Sequence, residues 1–328
     1  MPPGTTRFIQ PRSRSKSRTS TYFPRLLVAY LVVAAGSVPT TVAASSSSTV
    51  HSLLLFTATA GYRHDSIPTA IEVITALGDV TLRPTSVDES VKDVRWTTTH
   101  TEDGSLFEQE DWLRQFSAIV FVHTTDVDPP GVGTVLSDVG ARNLGQYIKQ
   151  GGNFCGIHSA ANTLYAYPWY GRTVGTFFSY HAALQNASIE RLTTTFPATS
   201  TLPKMLNLTE EIYSFRSDPR QLPSSATVLL TPVAGSYSDT GKAPYQGTPH
   251  PLAWYREGDL LADISDGDDA RGPVIPASAN LSGGDNALRS GGGGRSFYTS
   301  LGHTNETWRT DEFQAHIFGG IAWAMALS

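Results

Sequence analysis

Three short, unbroken apolar runs punctuate the first half of the chain, at His51 to Thr57, Ser117 to His123 and Asn153 to His158. Runs of this length without polar alternation are the pattern of strands buried on both faces. Between them, Ser66-Ile67-Pro68 opens a helix with proline in its first turn and Ile71, Ile74 and Leu77 at helical spacing, ended by Gly78. Val80 to Pro84 is expected to form the second strand. Leu106 to Phe116 predicts a short amphipathic helix, and Asn143 to Gln150 another that Gly151-Gly152 caps. Strand and helix in alternation predict an α/β fold with a doubly wound, mostly parallel sheet and helices on both faces, binding its ligand beyond the carboxyl ends of the strands. From Trp169 onward the pattern loosens, and Pro232 to Pro251 and Gly283 to Gly294 predict long loops. Order returns with a strand at Arg295 to Leu301 and an apolar helix at Phe313 to Leu327.

The 328 residues, 40% of them hydrophobic, suffice for one large domain, expected here over residues 51–328. Ahead of it, Arg7, Arg12, Arg14, Lys16, Arg18 and Arg25 occur without an acid, and an apolar run from Leu26 to Val38 follows. That order predicts a signal peptide over residues 1–44, cleaved after Val42-Ala43-Ala44, then a Ser-rich leader over residues 45–50. The expected destination is secreted or extracellular, with anchoring in the membrane by an uncleaved segment as the alternative. The run is shorter than the roughly 20 apolar residues of a membrane span, so none is expected in the mature form. Losing the six basic residues takes the formal net charge from −5 to −11, which disfavours nucleic acid as a partner. Sequons at Asn186, Asn207, Asn280 and Asn305 agree with a secretory route. Cys155 is the only cysteine, so no internal disulfide forms.

Eight segments resemble the ThuA-like family, associated with trehalose utilisation, within the class I glutamine amidotransferase-like superfamily. They are GYRHDSI at Gly61, VFVHTT at Val120, GGNFCGIHSAANT at Gly151, WYGRTVG at Trp169, EIYSFRSDPR at Glu211, HPLAWYREG at His250, FYTSLGHTNE at Phe297 and HIFGGIAWA at His316. The resemblance covers nearly the whole chain after residue 50. It implies a flavodoxin-like sheet and a small-molecule carbohydrate partner, a disaccharide or a keto sugar. Asn162, where an acid is expected, and Ala182, where proline is favoured, depart from the family pattern.

In the related amidotransferases a sharp turn between strand and helix presents a nucleophilic cysteine; here that place falls to His158. Cys155 lies three residues earlier inside the strand, where a thiol is inert packing, so no amidotransferase chemistry is expected. A histidine there serves as a base, a metal ligand or a donor to a sugar hydroxyl; a structural histidine is the plain alternative. Ser159 is expected to cap the next helix. His64 and Asp65, His123 and His303 also follow predicted strands, so one sheet edge collects them.

His158, His64, Glu211 and His303 are the candidate catalytic residues. Tyr62, Arg63, Asp65, His123, Trp169, Tyr170, Arg216 and His250 are the candidate substrate contacts, with aromatic faces for pyranose stacking. His158, His181 and His303 form a candidate ligand set for a divalent metal such as zinc, if the His181 loop folds back over the sheet. Asp126 and Asp128 are expected in solvated turns. Two functions fit: a carbohydrate-active enzyme of hydrolase type, or a noncatalytic sugar-binding module on an amidotransferase-like scaffold.

Overall fold

The computed structural model describes residues 49–127, 133–242, 245–261 and 294–326. The expected signal peptide, nearly all of the Ser-rich leader, Asp128, Asn280 and the glycine-rich stretch before Gly294 lie outside the described residues.

The first apolar run forms β1 (Val50–Phe56), and α1 (Ile67–Leu77) follows, with Pro68 in its first turn. Gly78 ends α1 in right-handed geometry, its N–H donating back to Thr75 and Ala76. The expected strand at Val80 is a correction: Val80–Leu82 is a 3-10 turn capped by Asp79, and Val80 and Leu82 stand exposed. The second strand, β2 (Arg95–Thr101), is instead the sequence RWTTTHT, which buries little beyond Trp96 because it forms the sheet's edge. The helix expected at Leu106 is broken into a 3-10 turn (Gly104–Glu108) and a single turn α2 (Glu110–Leu113). β3 (Ala118–Val122) and β4 (Asn153–Ile157) stand where the apolar runs placed them. Between them, α3 (Asp138–Lys149) starts five residues before the expected Asn143, because the Ser137 hydroxyl caps it at Gly140 N–H.

The loosely patterned second half holds α4 (Pro168–Val174), then strands β5 (Phe178–His181), β6 (Gln185–Arg191), β7 (Met205–Glu210), β8 (Tyr213–Phe215), β9 (Thr227–Pro232) and β10 (Ala253–Gly258). β11 (Gly294–Thr299), α5 (Asn305–Trp308) and α6 (Asp311–Met325) complete the described chain. The large sheet has the order β2-β1-β3-β4-β11-β10-β9-β6-β7, and β5 pairs with β8 apart from it. The first five strands run parallel in flavodoxin order, and the other four continue antiparallel.

Side chains alternate between two cores, as a pleated strand requires. Leu53, Leu55, Val120 and Ile157 join α1 and α6 on one face; Leu54, Phe56, Phe121 and Phe154 join α3 and α4 on the other. Helices thus cover both faces, and the carboxyl ends of β1, β3, β4 and β11 open at one edge. Among the described residues no helix is long and apolar enough to cross a membrane.

Candidate functional site

Four of the five parallel strands, β1, β3, β4 and β11, lead to a histidine of one cluster. His123 and His158 come directly after β3 and β4, and both have φ of 55°, a left-handed conformation uncommon outside glycine but enriched for histidine. This turns the chain out of each strand at once. His64 follows β1, and His303 follows β11 through Gly302.

The His158 ring, wholly buried, donates from Nδ1 to Ser300 O at 2.7 Å, which leaves Nε2 of the neutral ring bare. That nitrogen lies 3.1 Å from His64 Nε2, 3.3 Å from His303 Nδ1 and 3.0 Å from the Tyr213 hydroxyl. Glu211 Oε2 approaches His303 Nδ1 to 3.1 Å and His158 Nε2 to 3.7 Å. One ligand atom from each of His64, His158, Glu211 and His303 thus lies within 4.8 Å of every other. His64 Nδ1 is buried with no partner among the described residues.

Burial dominates the electrostatics. It holds the His158 and His123 rings well below the usual imidazole range, and it lowers His64 to about 4 with help from the charge of His303. These rings are therefore neutral near pH 7 and offer lone pairs. His303 moves upward instead, chiefly through its hydrogen bond to Glu211. Burial also pushes the adjacent Glu210 up to about 7, although Gly302 and His303 N–H donate to its carboxyl group.

All four candidate catalytic residues therefore meet. His181 does come to the site, but at its rim: its Nδ1 donates to Ala182 O and lies 3.4 Å from Glu211 Oε1, so His64 and Glu211 complete the donor set in its place. Tyr62 stands exposed with its ring edge-on to His64, and Asp65 is exposed nearby.

Several expected substrate contacts are corrected. Trp169 and Tyr170 are fully buried in the core beneath α4 and present no face to a ligand. His123 is wholly buried and contacts the Ser66 hydroxyl. Arg63 and Arg216, by contrast, stay exposed, Arg63 paired with Glu102 and Arg216 stacked on Tyr165. His250 lies behind the site, its Nε2 donating to Tyr213 O. Asp126 is buried rather than solvated, accepting from Leu164 and Val135 N–H. Ser159 makes no cap; its hydroxyl is buried without a partner among the described residues.

Residues that sequence reasoning missed are Tyr213, left without a role of its own, and Glu210. Both flank Glu211, and the apolar spacing around them is too short to show which side faces the sheet edge. Of the sequons, Asn186 and Asn207 are exposed on the β6–β7 hairpin, whereas Asn305 is half-buried and accepts from Thr69.

A putative ThuA-like protein from Bacteroides uniformis has the same fold at 15% identity, covering 84% of this chain and 91% of its own, with a TM-score of 0.53. A putative ThuA-like protein from Parabacteroides merdae matches at 14% identity over 85% of this chain and 91% of its own, with a TM-score of 0.49. An exo-β-1,4-mannosidase from an Opitutaceae bacterium matches at 11% identity over 84% of this chain and 36% of its own, with a TM-score of 0.39. A search of curated proteins returns no significant match. The family model for ThuA, described as trehalose utilisation, matches residues 52–324, nearly all of the folded chain from β1 to α6, and the chain belongs to the ThuA family.

Proposed function

We propose that the chain is a divalent-metal protein acting on a small-molecule carbohydrate, with His64, His158, His303 and Glu211 as its metal ligands. The observation that carries this reading is the spacing of the four donors. A tetrahedral ion with bonds of about 2.0–2.1 Å separates its ligand atoms by about 3.3 Å. Three of the six separations, 3.1, 3.3 and 3.1 Å along His64, His158, His303 and Glu211, suit that geometry, and the wider ones, 3.7 Å for His158 and Glu211 and none beyond 4.8 Å, would close as an ion draws the donors in. His64 and His158, held neutral by burial, with the His303 imidazole and one carboxylate, are donor types for zinc or another late first-row ion.

When bound, such an ion supplies Lewis-acid polarisation of a sugar oxygen or an activated water. The protein's own groups then orient and exchange protons. Ser300 O fixes the His158 tautomer, and the Tyr213 hydroxyl, 3.0 Å from Nε2, would yield that lone pair to the ion and turn its proton toward a sugar oxygen. His181, part-exposed beside Glu211, is placed at the rim to pass a proton to solvent. Exposed Tyr62 offers an aromatic face to a pyranose. The carbohydrate class follows the family's description as trehalose utilisation. One observation favours the second reading, a noncatalytic sugar-binding module: four protein donors close a tetrahedral site, whereas catalytic sites keep a position open.

Elemental analysis of the purified mature protein beside His158→Ala, followed by binding and turnover assays with trehalose, sucrose and their keto derivatives, separates these. The expected outcome is one ion per chain in the wild type, none in the variant, and turnover lost with the ion. Metal with sugar binding but no turnover selects the binding module, and turnover by a metal-free wild type overturns the metal reading.

A further inference from the structure

We infer that Glu210 is a positioning residue: from the end of β7 it fixes the backbone of the loop that carries His303, and so sets where that imidazole meets the other three donors. The inference rests on the metal reading above and adds to it a device that spans the two halves of the sheet.

Glu210 is wholly buried, and its two oxygens divide the loop between them. Oε1 accepts from Gly302 N–H at 3.0 Å and Oε2 from His303 N–H at 3.1 Å. The carbonyls of the same two residues are held as well. The Ser66 hydroxyl donates to His303 O at 2.7 Å, and Trp308 Nε1 donates to Gly302 O at 2.8 Å. Because the Ser66 proton is committed there, its 3.2 Å contact with His123 Nε2 requires the histidine to donate. His123 is thereby a prop behind Ser66, and it lies outside the group of four donors.

The loop has little room to settle elsewhere. Gly302 has φ of +113°, and a Cβ there would meet Phe313 at 3.0 Å and Trp308 at 3.3 Å. Nor is the contact imposed by neighbouring strands. Four strand spacings separate β7 from β11, about 19 Å in a flat sheet. The carboxyl group nonetheless reaches the loop, whose approach from β11 is tied beside the start of β10, where Ser300 N–H donates to Leu252 O at 2.8 Å. Adjacent residues of one strand end thus serve the site in two ways: Glu211 offers an oxygen to the ion, and Glu210 holds the partner imidazole in register with it.

Titration of the apo protein with cobalt(II) and with zinc under chelator competition tests this, using the wild type, Glu210→Gln and Ser66→Ala. Glutamine keeps the shape but turns an amide N–H₂ toward a backbone N–H, so one bond is lost and a repulsion gained. The expected result is affinity weakened about 10- to 100-fold in Glu210→Gln, with an altered cobalt(II) absorption band, and a smaller loss in Ser66→Ala. Ser66 provides no side-chain cap to α1, so its variant keeps the helix start and reports on the loop if Glu210→Gln fails to fold. Wild-type affinity and spectrum in both variants overturn the inference while the metal reading stands. No uptake by the wild type overturns both.

Discussion

In the parallel half of the sheet, β3 and β11 bury every residue and β1 and β4 bury four each; in the antiparallel half, β6 and β7 alternate buried and open positions out to a free edge. The two halves also bring different chemistry to the site. The parallel strands end on the imidazoles of His64, His123, His158 and His303, whereas the antiparallel strands and the β5–β8 pair bring the Glu211 carboxylate, the Tyr213 phenol and the Glu210 clamp. Burial lowers His64, His123 and His158 of the parallel half, and the exception, His303, is raised where it meets Glu211 from the other half.

The sharpest way to break this contrast is a matched pair of core truncations. Leu54→Ala, at a wholly buried position in β1, is expected to cost about 4 kcal/mol with metal affinity of the folded fraction unchanged. Leu206→Ala in edge strand β7, where one face is open, is expected to cost about 2 kcal/mol yet weaken metal binding, because it loosens the strand that ends on Glu210 and Glu211. Denaturant unfolding with metal titration reads both. Equal loss of metal affinity in the two variants would erase the distinction between the halves.

A smaller effect concerns what joins the halves. His316 on α6 donates from Nδ1 to Ala198 O, in the connection between β6 and β7, and burial lowers its pKa to about 4. The unfolded chain takes up a proton near pH 6.5 that the fold refuses. Stability from this group is therefore whole above pH 6.5 and is lost as pH falls toward 4. The loss is on the order of 2 kcal/mol by pH 5. Measured by urea unfolding at pH 7.5 and pH 5, His316→Phe should show a pH dependence weaker by about that amount. An unchanged dependence would mean that His316 is not the acid-sensitive tie.

Much of the parallel half was legible because strands buried on both faces leave unbroken apolar runs, and turns after such strands place ligands. The candidates His64, His158, Glu211 and His303, which the fold brings together, were picked out that way or through the family resemblance. β2 was not, because an edge strand of alternating threonines carries no apolar run, and exposed Val80 and Leu82 imitated one. The antiparallel strands were missed for a related reason: their short, half-open patterns are broken by Pro-rich connections. Burial of Trp169 and Tyr170 was hidden because an aromatic residue looks alike in sequence whether it lines a core or a cleft. His181 depended on a loop whose path only the fold could reveal.

The smallest expected effect bears on what the parallel half does not do. Cys155 faces the α1 and α6 core from the middle of β4, with no exposure, and burial pushes its thiol far up. A nucleophilic cysteine needs the opposite surroundings, electropositive and partly open, where the thiolate forms. His158, three residues on, occupies the strand end that a nucleophile would need. Cys155→Ala is therefore expected to leave metal content and carbohydrate binding or turnover at wild-type values while costing about 1 kcal/mol for the lost sulfur packing. Assay of the variant beside the wild type decides it: if function falls while metal and fold persist, the thiol takes part in the chemistry and the imidazole-centred account of this edge fails.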